Sequence, residues 1–200
     1  MLRFLLILSF SYYTISLREV YMKVEVKSTR FLFLYRSFLF NGVFFYTNDK
    51  DLDTVAKALN IKNKKQRIEY VYDEGVKYIN KYYSNDLCRF ENGQCIAQRR
   101  DGVGHTNGCC RHCPIVTDRG CPSSNLSCKL IYCKTALGNV KLLRLRDIPI
   151  LKCFSITKRM ILKASFYYTK EEILKDLNYG ILYSSLRMLC NELKIDFSKL

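Results

Sequence analysis

Apolar and polar positions follow two periods along this chain. Near the start, Val24-Glu25-Val26-Lys27 alternates with period two, as a half-buried strand does. A longer apolar stretch from Phe31 to Tyr46 is broken by Arg36 and by Asn41-Gly42. Asn-Gly between apolar runs favours a two-residue hairpin turn, because both residues tolerate positive φ. The pattern predicts a small antiparallel sheet from residues 19–27, 31–40 and 43–47. The period then changes. Residues 51–60 and 64–83 read as helices, and in the second Ile68, Val71, Tyr72, Val76, Ile79 and Tyr83 recur at three- and four-residue steps that line one face. Gly75 is its weak point, and Ser84-Asn85-Asp86 ends it.

The helical period returns in the last third. Thr169-Lys170-Glu171-Glu172 is a capping box, followed by Ile173, Leu174, Leu177, Ile181, Leu182, Leu186, Leu189 and Leu193 as one broad apolar face. Gly180 marks a bend or a division into two helices. Lys158 to Tyr167 reads as a further helix or extended arm, with Met160, Ile161 and Leu162 partly buried. These stripes are expected to be core, with a partner surface as the alternative. Cys190, on the leucine helix, and Cys153, beside Phe154, are expected to be buried apolar thiols. The fold class is α+β, mainly helical: a small N-terminal antiparallel sheet, a central cysteine-rich module stapled by metal, and C-terminal helices.

Composition changes this picture in the middle. The 200 residues are 48% hydrophobic, which excludes a disordered chain and allows one ordinary domain or two small ones. Eight of the ten Cys lie between Cys88 and Cys133, together with both His, five of the nine Gly and two of the three Pro. So sharp a shift divides the chain into 1–87, a turn-rich cysteine module at 88–133, and 134–200.

Three chemistries compete for those thiols. Thiolates are soft ligands that suit tetrahedral zinc, and Cys110-x2-Cys113 has the spacing of a metal knuckle, with His112 inside it as a substitute ligand. Cys128-x4-Cys133 is a second short pair. Cys88, Cys95, Cys109, Cys110, Cys113, Cys121, Cys128 and Cys133 would fill two four-sulfur sites. An iron–sulfur cluster is the alternative, because Cys113-Pro114 and Cys121-Pro122 resemble the Cys-Pro of some cluster ligands; the chain would then serve redox or radical chemistry as an accessory protein. The third reading is a secreted or membrane-attached disulfide protein. In that context alone Asn125-Leu126-Ser127 would be a glycosylation sequon.

Gly108-Cys109-Cys110, Gly120-Cys121-Pro122 and Leu126-Ser127-Cys128-Lys129-Leu130-Ile131-Tyr132-Cys133 together resemble a group of cysteine-cluster bacterial proteins of unassigned function. More loosely, they are similar to zinc- or iron-chelating cysteine-cluster proteins. The resemblance covers about 45 residues and implies metal chelation without implying catalytic residues.

Catalysis finds little support. Asp101 to Gly108 is glycine-rich, but no Gly-Lys-Ser/Thr follows, and it reads as a turn that brings Cys95 to Cys109. His105 and His112 stand among so many thiols that proximity to a nucleophile carries no information.

Charge adds the last element. The net charge is +15, and residues 134–168 hold eight basic side chains against one acid, Asp147. A basic block of this kind attracts phosphate-bearing partners. Lys141, Arg144, Arg146, Lys152, Lys158 and Arg159 are the candidate contacts to nucleic acid or another polyanion. The opening residues, Met1 to Phe10, imitate a secretory signal but lack a small-residue cleavage site, and the run is shorter than the roughly 20 residues a membrane span needs. A cytoplasmic location is expected, with membrane association through that apolar start, or secretion, as alternatives. The functional expectation is a non-catalytic metal-binding protein, structural zinc first, that engages nucleic acid through its basic segment.

Overall fold

A computed structural model describes residues 22–30, 32, 42–83, 87–89, 91–92, 94–101 and 125–194. These are mainly helical, with one two-stranded sheet. Strands β1 (Met22–Glu25) and β2 (Val43–Tyr46) run parallel, in a register that pairs Met22 with Val43 and Glu25 with Tyr46. This corrects the antiparallel sheet expected from the sequence. The stretch between the strands exceeds the dozen or so residues that a parallel crossover requires, so pairing direction was open to tertiary packing. Asn41 and most of 31–40, including the strand and hairpin turn expected there, lie outside the described residues. The period-two signal itself was sound: Val43 and Phe45 are buried while Phe44 and Tyr46 face out.

The second edge of β2 is met by side chains. Asn60 accepts from the Phe45 N–H at 2.8 Å and donates to the Phe45 carbonyl at 2.7 Å, and Lys62 Nζ donates to the Val43 carbonyl at 3.2 Å. These bonds occupy an edge that would otherwise be a template for another strand. Asn60 closes α1 (Asp53–Asn60), which follows a short 3-10 turn capped by Asp49.

Helix α2 (Lys64–Tyr83) begins at Asn63, whose side chain accepts from the amides of Lys65 and Gln66. All six positions assigned to its apolar face are buried, and so is Gly75. A Cβ at Gly75 would stand 2.9 Å from Leu151 Cδ2 and 3.5 Å from Leu126 Cδ2. The glycine that costs helix propensity is therefore where two later parts of the chain approach the helix backbone. Two tyrosines of α2 tie that later chain down. The Tyr72 hydroxyl accepts from the Leu126 N–H at 3.0 Å, and the Tyr83 hydroxyl accepts from the Leu143 N–H at 2.6 Å. Burial pushes the Tyr72 phenol up to about 12, so it stays protonated across the ordinary pH range.

Beyond α2 come α3 (Ile96–Asp101), α4 (Leu126–Lys129), α5 (Lys134–Leu137), 3-10 turns at Leu145–Asp147 and Pro149–Cys153, α6 (Ile156–Ala164), α7 (Lys170–Tyr179) and α8 (Ile181–Glu192). The capping box at Thr169 is formed with both of its reciprocal bonds, and Gly180, at φ +99°, separates α7 from α8. The segment 158–167 resolves into α6, with Ile161 and Leu162 wholly buried and Met160 half exposed.

One hydrophobic cluster runs through the described residues, from Val26 and Leu32 through α1 and α2 to Leu126, Leu151, Leu162, Ile173 and Leu177. Chain from both sides of the 102–124 stretch thus shares a single core. Cys190 is buried as expected, and Cys153 packs half-buried against the cluster. Asn125 is also buried. Its Oδ1 accepts from the amides of Ser127 and Cys128, capping α4, while its Nδ2 donates to the carbonyls of Ser165 and Tyr168. A glycan on that nitrogen is incompatible with this packing, so the sequon is not a modification site of the folded chain.

Helix α8 departs from expectation. The sequence pattern places its leucines in the core, yet Leu182, Leu186, Leu189 and the adjoining Leu193 are all more than half exposed. Its buried residues are Ser184, Arg187 and Cys190. The reason is Asp176 of α7, which has no exposed surface. Arg187 makes a two-pronged pair with it, Nε to Oδ1 at 2.9 Å and Nη2 to Oδ2, and Ser184 donates to Oδ2 at 3.2 Å. The Arg187 guanidinium lies 3.8 Å from the centre of the Tyr168 ring. Burial works against the Arg187 charge, but its bonds and attraction to Asp176 outweigh burial and raise its pKa above the usual range. A buried carboxylate needs its counter-ion, and that requirement fixes which side of α8 faces inward.

Candidate nucleic-acid interface

The basic surface grows from the way short elements bury their apolar members. In the turn at Leu145–Asp147, Leu145 points into the core, which leaves Arg144 and Arg146 outside. Asp147 accepts from the Arg144 N–H at 2.9 Å and closes that turn. In Pro149–Cys153, burial of Ile150 and Leu151 turns Lys152 outward, where its Nζ donates to Thr29 Oγ1 at 3.1 Å. Helix α6 is capped by Ser155, whose hydroxyl accepts from the Lys158 N–H. With Ile161 and Leu162 inward, Ile156, Arg159, Met160 and Lys163 share the opposite stripe, as residues spaced three, four and seven apart on a helix must.

These side chains line two adjoining cavities. One, of about 380 Å³, is lined by Arg144, Arg146, Arg159 and Lys163 around Leu145, Ile156 and Met160. The other, of about 640 Å³, carries Arg30, Lys152 and Arg159 together with Thr29, Ser155, Thr157 and the apolar Leu32, Phe154 and Ile156. Arg159 and Ile156 belong to both, so the two form one continuous surface. No Asp or Glu lines either cavity. Asp147 lies beside this surface, its Oδ1 3.9 Å from Arg146 Nε.

Of the six contacts expected from the sequence, Arg144, Arg146, Lys152 and Arg159 are brought together here. Lys141 is exposed but lines neither cavity. Lys158 turns away and donates to the Leu177 carbonyl, tying α6 to α7. Two cations of the surface were missed as site residues. Lys163 was legible as the helical neighbour of Arg159, four residues on. Arg30 comes from the far end of the chain, and nothing in the sequence signals its approach.

The cysteine module is described only at its flanks. Cys109, Cys110, Cys113, Cys121, His105 and His112 lie outside the described residues. Cys88 and Cys95 bound a small reversal: Glu91 and Gln94 exchange backbone bonds at 3.0 Å each way, and the Ile96 N–H donates to the Cys88 carbonyl at 2.8 Å. The six-residue spacing is thereby folded back so that its two ends meet. On the far flank Cys133 caps α5, its Sγ accepting from the Ala136 N–H at 3.4 Å, and α5 packs against α3, which follows Cys95 directly. Among the described residues no group of three or more His, Cys, Asp or Glu side chains is placed to hold a metal ion. Nor is any helix among them long and apolar enough to cross a membrane.

Compared with known proteins, the chain matches no family model, no curated protein and no solved structure.

Proposed function

We propose that this chain is a non-catalytic nucleic-acid-associated protein that binds the phosphate backbone across the surface formed by Arg30, Arg144, Arg146, Lys152, Arg159 and Lys163. The observation that carries the reading is a continuous pair of cavities lined by six cations and no carboxylate. Cations so placed contact phosphates and position a strand without reading its bases. The interleaved Ile156 and Met160 offer apolar surface to sugars and base faces. Counter-ion release makes such binding steeply salt-dependent. With about four to six phosphates neutralised, affinity for a DNA or RNA oligonucleotide is expected to fall roughly 10²- to 10³-fold between 50 and 200 mM salt. In a fluorescence-anisotropy titration, the triple variant Arg144→Gln/Arg146→Gln/Arg159→Gln should reduce the salt slope by about three, while Lys141→Gln leaves it nearly unchanged. Absence of binding at low salt, or a slope indifferent to the triple variant, would remove the proposal.

A second component rests on the cysteines. The reversal that brings Cys88 to Cys95, and the packing of α3 on α5 beside Cys133, favour a metal-stapled segment. Zinc is its first occupant and an iron–sulfur cluster the alternative, with ligands drawn from Cys88, Cys95, Cys109, Cys110, Cys113, Cys121, Cys128, Cys133 and His112. Thiolate ligation would order a turn-rich stretch that buries little apolar area of its own. Elemental mass spectrometry on protein purified without oxygen is expected to find zinc in stoichiometric amount in a colourless sample. Brown colour would assign the iron–sulfur alternative. Metal-free protein whose circular dichroism ignores a strong chelator would end both.

A further inference from the structure

We propose that α8 is the surface through which two copies of this chain associate across a two-fold axis. This inference is independent of the nucleic-acid reading. Leu182, Leu186, Leu189 and Leu193 are 79%, 53%, 53% and 60% exposed, and Tyr179, just before them, is 65% exposed. From Leu182 onward their spacing runs four, three, four, while Tyr179 closes α7 on the other side of Gly180. That spacing is the seven-residue repeat of a seam between two helices.

The chain has no way to cover this seam by rolling α8 about its own axis. The opposite side of the helix is held by the Arg187–Asp176 pair, and turning the leucines inward would leave the Asp176 carboxylate buried without its partner. Among the described residues nothing else covers it.

Area and charge both point to a second copy. Together the five side chains leave bare the equivalent of about three large residues, or roughly 600 Å² at about 200 Å² each. Two such faces would bury roughly 1,200 Å², the lower bound of a specific, stable interface. Residues 169–200 carry as many basic as acidic side chains, whereas the chain as a whole carries +15. This face is thus where two strongly positive molecules meet with least repulsion. An anionic membrane is a poorer occupant, because the only basic residue of α8 is the buried Arg187. The seam is also its own complement when reversed. With the two helices antiparallel, Leu182 faces Leu193 of the partner subunit and Leu186 faces Leu189 of the partner subunit, which is what an isologous contact requires.

The test is sedimentation velocity on the full chain over a wide range of protein concentration, with matched circular dichroism and vesicle flotation. The wild type is expected to show a concentration-dependent dimer. Leu186→Glu/Leu189→Glu should weaken association at least a hundredfold while leaving the helical spectrum and melting temperature in place, since both side chains face outward. Leu182→Glu, at the end of the seam, should weaken it less, and it serves equally if the double variant fails to fold. A wild type that stays monomeric throughout overturns the proposal. So does a dimer untouched by Leu182→Glu or the double variant. Monomeric protein that floats with phosphatidylcholine vesicles, and loses this on Leu186→Glu/Leu189→Glu, would assign the face to lipid and overturn the proposal as well.

Discussion

Arg187→Ala is expected to cost about 3–5 kcal/mol of stability, the range for removing one partner of a buried ion pair. For a chain of this length that is a fall of about 10–15 °C in melting temperature. The loss goes beyond one contact. Asp176 would keep only the Ser184 hydroxyl among the side-chain partners described above, in a place that admits no solvent. The Tyr168 ring would lose the cation above it, and Glu172 would lose the guanidinium 3.9 Å from its Oε1. The attribution is checked by removing both charges. A buried ion pair replaced by apolar groups of similar volume is often neutral or stabilising, so Arg187→Met/Asp176→Leu should recover most of what Arg187→Ala loses. Urea denaturation of the wild type and the two variants measures this, and a cost under about 1 kcal/mol for Arg187→Ala would show that the pair does not orient α8.

Asn125→Ala is expected to be comparably damaging, at about 3 kcal/mol or more. One side chain there serves four backbone groups: two amides at the start of α4 and the carbonyls of Ser165 and Tyr168, 40 and 43 residues further on. Loss of a helix cap alone costs about 0.5–2 kcal/mol, and each buried polar group left without a partner about 1–3 kcal/mol. Asn125→Asp separates the two roles. An aspartate keeps the cap but turns a second acceptor towards two carbonyls, so thermal denaturation should find it nearly as unstable as the alanine variant. If Asn125→Asp instead matched the wild type, the bonds to Ser165 and Tyr168 would carry no weight and the cap would be the whole effect.

Much of the helical content was legible in the sequence because its signals are local. The face of α2, the capping box at Thr169 and the break at Gly180 are each written within one or two turns of chain, and each is present in the fold. What could not be read depends on partners distant in sequence. The sheet direction is an example, since period two marks a strand without saying which strand it pairs with or in which sense. Helix α8 is the sharper case. Periodicity located its leucine stripe correctly but assigned the stripe to the core, because hydrophobic pattern alone cannot register that a buried carboxylate on the preceding helix claims the other side. The same holds for the basic surface. Local charge density found Arg144, Arg146, Lys152 and Arg159, yet only folding could bring Arg30 to them and turn Lys158 away.

Tyr72 and Tyr83, near the middle and the end of α2, receive hydrogen bonds from Leu126 and Leu143, and Gly75 admits Leu126 and Leu151 against the same helix. The polypeptide before residue 102 and the polypeptide after residue 124 are therefore held to each other by contacts of their own, which do not pass through the stretch between them.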